Sequence, residues 1–208
     1  MGTTKDSEIT RKKIIEAAGQ LFAKRGLKGV TVRDIVRQAD THLSALNYHF
    51  RTKDALYKEV LLEACRQASI SENDQQLLNK LDPNEALLLL VKNGLKQYQG
   101  EKPSDWQTVI IARESWEPSP IFIEVVEKYF KPEADFVTNL IGKITGIYPK
   151  SHKVYFAFLT MNSLMETFGL YGHLVDAIAP ELRKHFNENE WIVNKIVQMT
   201  IAAVDDIE

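Results

Sequence analysis

The chain has 208 residues, of which 44% are hydrophobic and 26% charged, with a net charge of -2 and a single cysteine, Cys65. That composition supports a sizeable core and excludes a disordered chain, an internal disulfide and a cysteine metal cluster. The charge is uneven: residues 1–64 hold twelve Lys/Arg against eight Asp/Glu, a net of +4, and the rest carries -6. A basic module on an acidic body suits a protein that brings one end to a phosphate backbone. The N-terminal MGTTKDSEITRKK has no apolar run of a signal peptide, and the most apolar stretch, 87–91, falls far short of the roughly 20 residues of a membrane span. A cytoplasmic protein without a membrane partner is expected.

Nearly every segment reads as helix. Ile14, Ala17, Ala18, Leu21 and Phe22 recur at three- and four-residue spacing, which predicts a first helix over about 11–25, capped by Thr10 and stopped by Gly26. Thr31 and Asp34 have capping-box spacing, and Val32, Ile35 and Val36 give the second helix its buried face. A short helix over about 42–49 follows, with Leu46 and Phe50 turned inward. Thr52 caps a long helix over 53–68, whose stripe is Leu56, Val60 and Ala64. Residues 69–83 are polar and less regular, with Leu77, Leu78 and Leu81 packed locally. Further helices are predicted near 84–99, 105–115, 120–130, 132–145, 152–171 and 188–204. Ser119-Pro120, Ser151 and Asn187 with Glu190 mark starts, and Gly100, Gly146 and Gly172 mark ends. The expected fold is all-α: a three-helix helix-turn-helix domain over 1–55, a linking helix 53–68, and a larger helical domain over 69–208.

Two helices around a tight turn at 31–50 carry the functional signal. The second is too short to persist alone, so it must lean on its neighbours, which leaves its outer face free for a DNA groove. That face holds His42, Ser44, Ala45, Asn47, Tyr48 and His49. Small residues approach base edges closely, while Tyr48, His49 and Lys53 reach phosphates. Thr31 and Arg33 stand at the start of the preceding helix, where backbone donors meet the same phosphates. Each has a plainer reading too: Thr31 as a cap, His42 as solvated surface, His49 as internal support, and Lys53 as an exposed charge.

The run TVRDIVRQADTHLSALNYHFRTKDALYKEVL closely resembles the DNA-binding motif of the TetR family of repressors. The resemblance implies that Leu43, Ser44 and Ala45 face bases and that Asn47, Tyr48, His49 and Lys53 lie at the backbone. The sequence departs from the family pattern at Asp40-Thr41, where glycine and a small apolar residue are usual, and at Leu43, often a lysine. The IIARESWEPSP run, Pro132 and VYFAFLTMNSLMETFGL resemble the ligand-binding half of the subgroup related to the cefoperazone and chloramphenicol sensitivity regulator. That resemblance implies a small-molecule effector whose binding releases operator DNA.

Aromatic and polar residues of the composition found in small-molecule pockets are Trp106, Arg113, Glu114, Trp116, Tyr155, Phe158, Met161, Glu166 and His173. Core packing competes for each aromatic, and an interhelical ion pair competes for Arg113 and Glu114. One short recognition helix reads few base pairs, so a homodimer on a near-palindrome is expected. Its interface residues are sought on the last long helices: Tyr155, Phe158, Leu159, Asn162, Met165, Gly169, Trp191, Lys195, Ile196 and Met199. No catalytic residue or cofactor is expected. His42, His49, His152, His173 and His185 make no local metal-ligand pattern, and no nucleophile or phosphate-loop motif is present. Two other readings stay open: a helical protein-interaction module with a degenerate DNA motif, motivated by Asp40 and Leu43, and a helical enzyme.

Overall fold

The computed structural model describes residues 4–98, 106–169, 171–182 and 190–205. They form α1 (Thr4–Arg25), α2 (Val32–Gln38), α3 (Leu43–Phe50), α4 (Lys53–Ala68), α5 (Glu72–Leu78), α6 (Pro83–Tyr98), α7 (Trp106–Trp116) and α8 (Phe122–Val125). One π-helical turn, Val126–Phe130, follows, and then α9 (Lys131–Thr145), α10 (His152–Gly169), α11 (Gly172–Ile178) and α12 (Glu190–Ala202). No strand occurs among the described residues, and no helix there is long and apolar enough to cross a membrane. The fold is all-α.

Local chemistry explains most boundaries. Thr31, Thr52 and Ser71 each accept a backbone N–H three residues on, at 3.2, 3.1 and 3.1 Å, and so cap α2, α4 and α5. Gly26 ends α1 at φ 69°, a conformation that costs other residues a clash with Cβ. Four expectations are corrected. Thr10 caps nothing: α1 already runs from Thr4, and the Thr10 hydroxyl donates to the Asp6 carbonyl at 2.9 Å inside the helix. Residues 72–78 form a helix because Ser71 and Asp74 cap it, with Leu78 buried, while Leu77 and Leu81 stay exposed. The Ser119 hydroxyl accepts from Ile121 N–H at 3.3 Å, as a cap does, while donating to Glu114, but the helix it precedes begins at Phe122 and not at Pro120. Gly172 opens α11 and ends nothing. The markers Gly100 and Asn187, and His185, lie outside the described residues.

The helices group into two compact units that cut across chain order. The first comprises the described residues of Met1–Ser69 and Ser104–Phe130; the second comprises those of Ile70–Pro103 and Lys131–Glu208. Residues 106–130, placed with the larger domain on sequence grounds, therefore pack with the first unit. Trp106, Ile110 and Val125 join the core of Ile14, Ala18, Phe22, Ile35, Leu46, Leu56 and Val60. Gly19 makes this possible. A Cβ there would collide with the Trp106 ring, so only glycine lets the indole lie on α1. The indole N–H then donates to Glu16 Oε2 at 2.9 Å.

In the second unit α6, α9, α10 and α12 pack on one another around Leu87, Val91, Leu140, Ile141, Ala157, Met161, Ile192 and Ile196. Ser151 caps α10 by accepting from Val154 N at 3.3 Å.

Candidate nucleic-acid interface

The turn between α2 and α3 is built at Asp40, which takes φ 47° where glycine would be least strained. Thr41 N–H donates to the Val36 carbonyl at 3.0 Å, and His42 enters α3 in extended conformation. From there the burial pattern divides α3 cleanly. Leu46 and Phe50 are 0% and 4% exposed and lock the helix onto the core, whereas Leu43 is 51% and Tyr48 78% exposed. His42, Ser44 and Asn47 are exposed with them, and Ala45 and His49 are half-buried. Tyr48 and His49 meet edge to face, with centroids 5.1 Å apart. Arg11 braces the far end of α3: its guanidinium lies 5.5 Å from the Phe50 ring centre and pairs with Glu59 at 2.5 Å.

The polar groups around α3 differ in how free they are. Thr31 gives its hydroxyl proton to Asp34 Oδ2 at 2.8 Å, and its own N–H donates to the same oxygen at 3.1 Å. The Thr31 hydroxyl and then the Thr31 N–H hold the Asp34 carboxyl below the usual carboxylate range, with Arg25 and Arg37 adding to the effect. Arg37 donates to Asp34 at 3.1 Å and Arg25 stands 3.7 Å from it, while Arg33 is exposed. Lys53 Nζ donates to the main-chain carbonyls of Leu27 and Val30 at 2.9 and 3.0 Å, closing the loop between α1 and α2. Arg51, which the sequence reading did not single out, is exposed at φ 62° just past α3.

The residues singled out for an effector are divided between the two units. In the first, Trp106 lies in the core, and Glu114 is 2% exposed. Glu114 accepts from Tyr57 at 2.5 Å and from the Ser119 hydroxyl at 2.8 Å, so it is spent on internal bonds. Arg113 donates to the Ala23 carbonyl at 3.4 Å near the end of α1, and Trp116 is 91% exposed. In the second, Met161 is core, Phe158 packs half-buried against it, and Tyr155, Glu166 and His173 are exposed. A groove of about 640 Å³ lined by Phe136, Lys143 and Tyr148 among others includes none of them.

Of the residues expected at a dimer interface, Met165 and Ile196 are buried within the bundle. Tyr155 and Leu159 on α10, and Trp191, Lys195 and Met199 on α12, form exposed faces, with Asn162, Phe158 and Gly169 half-buried. Phe156, 63% exposed, belongs to the same α10 face, at helical spacing from Leu159 and Ser163.

A short helix, anchored from behind and presenting small polar groups and a tyrosine after a tight turn, defines a helix-turn-helix DNA-binding module. Residues 14–60 match the family of bacterial regulatory proteins, tetR family, and residues 83–203 match the C-terminal domain of the HTH-type transcriptional dual regulator CecR. The chain belongs to the TetR family of bacterial transcriptional regulators, with a C-terminal domain of the CecR type. This is a family of DNA-binding regulators and not of catalysts. Among curated relatives it is 32% identical over 80 residues to the probable HTH-type transcriptional regulator YttP of Bacillus subtilis, a match covering 33% of this chain and 39% of YttP. Its fold resembles that of the putative transcriptional regulator SCO4942 from Streptomyces coelicolor, with TM-score 0.62 and 19% identity over 91% of this chain and 97% of that one. HlyIIR, a hemolysin II transcriptional regulator, is similar too, with TM-score 0.56 and 19% identity over 96% of this chain and 99% of that one.

Proposed function

We propose that the chain is a cytoplasmic, ligand-responsive repressor that binds a near-palindromic operator as a homodimer and leaves it when a small molecule binds. Residues 1–55 grip DNA, the helix 53–68 links, and residues 69–208 bind effector and dimerise. The single observation that carries this reading is the two-sidedness of α3. Leu46 and Phe50 are sealed into the core while Leu43, Ser44, Asn47 and Tyr48 stand free. Tyr48 and Asn47 suit phosphate oxygens, and Leu43, Ser44 and Ala45 suit base edges, with the leucine offering apolar contact to a thymine methyl.

Dimerisation is supported by the exposed apolar residues of α10 and α12, which pack side by side. Two such pairs form a four-helix interface and set two recognition helices about 34–36 Å apart, or a multiple of that spacing. An effector then acts through different affinities for the DNA-competent and incompetent states. CecR is described as a dual regulator, so the sign of regulation is itself a quantity to measure.

Duplex selection with the full chain at controlled salt tests the proposal. A near-palindrome should be enriched, and affinity should fall steeply as salt rises. A folded dimer that enriches no sequence would refute it.

A further inference from the structure

The groove of about 640 Å³ in the second unit lies where α9 ends and the loop into α10 begins, with Asn79 at the end of α5 alongside. Its volume falls within the roughly 300–1,000 Å³ of small-molecule sites. Phe136 and Leu140 on α9, and Ile147 and Pro149 in the loop, give it an apolar lining.

The loop is held in shape by its own bonds. A Cβ on the buried Gly142 would collide with the Pro149 ring and the Ile147 carbonyl, so glycine lets the loop fold back on α9. Gly146 turns the chain at φ 73°. Ile147 N–H then donates to the Thr145 hydroxyl at 3.4 Å, and Ser151 N–H donates to the Tyr148 carbonyl at 3.0 Å. A preformed wall spares a ligand the cost of ordering it.

Charge selects the occupant. Residues 65–208 carry a net charge of -6, yet no carboxylate lines this groove among the described residues, and its one charged group there is Lys143. Lys143 is exposed and enters no ion pair among the described residues. An apolar lining beside a lone ammonium matches a molecule with an apolar body and one carboxylate, which a lysine meets as a point charge.

We propose that this groove is the effector site and that its ligand is an amphipathic carboxylic acid in its ionised form. The assignment rests on the ligand-responsive reading above, whose effector it gives a place and a chemical class. A ligand here touches both α9 and the loop into α10, so its affinity changes with the spacing of those helices. That is the differential binding an effector requires.

The test uses the full-length protein, with sodium octanoate and 1-octanol as probes in isothermal titration calorimetry. Wild type should bind octanoate severalfold more tightly than the uncharged alcohol. Lys143→Met should erase that preference. Asn139→Trp, which fills the groove from an exposed position on α9, should block both probes. Both variants should keep the wild-type melting temperature, and Ile123→Ala, at an exposed apolar residue of the first unit, should bind as wild type does. Octanoate should also weaken binding of a selected operator duplex by wild type and not by Asn139→Trp. Octanoate that does not bind, that binds Asn139→Trp unchanged, or that binds without altering operator affinity overturns the assignment. Wild-type protein that selects no duplex overturns the DNA-binding reading, while the calorimetric comparison still decides whether the groove takes the carboxylate.

Discussion

The phenol of Tyr57 donates to Oε1 of Glu114 at 2.5 Å, with the two residues 1% and 2% exposed. Ser119 supplies its N–H and hydroxyl to the other carboxylate oxygen at 3.1 and 2.8 Å. One buried carboxylate thus joins α4, α7 and the segment that leads into α8. Tyr57→Phe leaves Oε1 without its donor, and the loss should be about 1–3 kcal/mol of stability, read from urea midpoints. Burial, and then the Glu114 carboxylate, push the Tyr57 phenol above its ordinary range. The unfolded phenol ionises first, so this contribution is whole below about pH 10 and declines as pH rises beyond it. Tyr57→Phe should flatten that alkaline decline.

Asp34 closes the capping box of α2 and neutralises two arginines. Its carboxyl is held below the ordinary aspartate range, so the stability it contributes is present above that range and is lost as pH falls through the lower folded value. Asp34→Asn should lower the melting temperature at neutral pH and weaken the acid dependence. It should also tighten nonspecific duplex binding at low salt by freeing Arg25 and Arg37, as fluorescence anisotropy would register.

Tyr48 and Ser44 stand on one face of α3 with different assignments. Tyr48→Ala removes a side chain that is 78% exposed, so the melting temperature should hold while selected and random duplexes lose affinity in parallel. Ser44→Ala should change the preferred sequence and spare random duplexes. Parallel losses for both variants, measured by competition binding, would contradict the division between positioning and readout.

Leu159 and Ile196 separate association from folding. Leu159 is 59% exposed on the α10 face, so Leu159→Glu should yield folded monomer by light scattering, with weakened operator binding. Ile196 is fully buried, and Ile196→Glu should unfold the second unit, because a carboxylate would enter the core unpaired.

The helix-turn-helix was legible because its determinants are local. Capping spacing at Thr31 and Thr52, apolar periodicity through Leu46 and Phe50, and the positive φ at Gly26 act within a few residues of chain. Tertiary structure decided what those groups do once folded, because hydrogen-bond partners distant in sequence compete for them. Glu114 is spent on Tyr57, 57 positions away, and Lys53 on Leu27 and Val30. Gly19 accepts Trp106, which draws α7 into the first unit against the order of the chain. Periodicity alone predicts a buried face but not which neighbour covers it. Met165 and Ile196 are therefore core residues, and Phe156 and Leu159 are exposed. A free charge likewise cannot be told from a committed one until the fold has brought its acceptors near, as the bonds of Lys53 to the Leu27 and Val30 carbonyls illustrate.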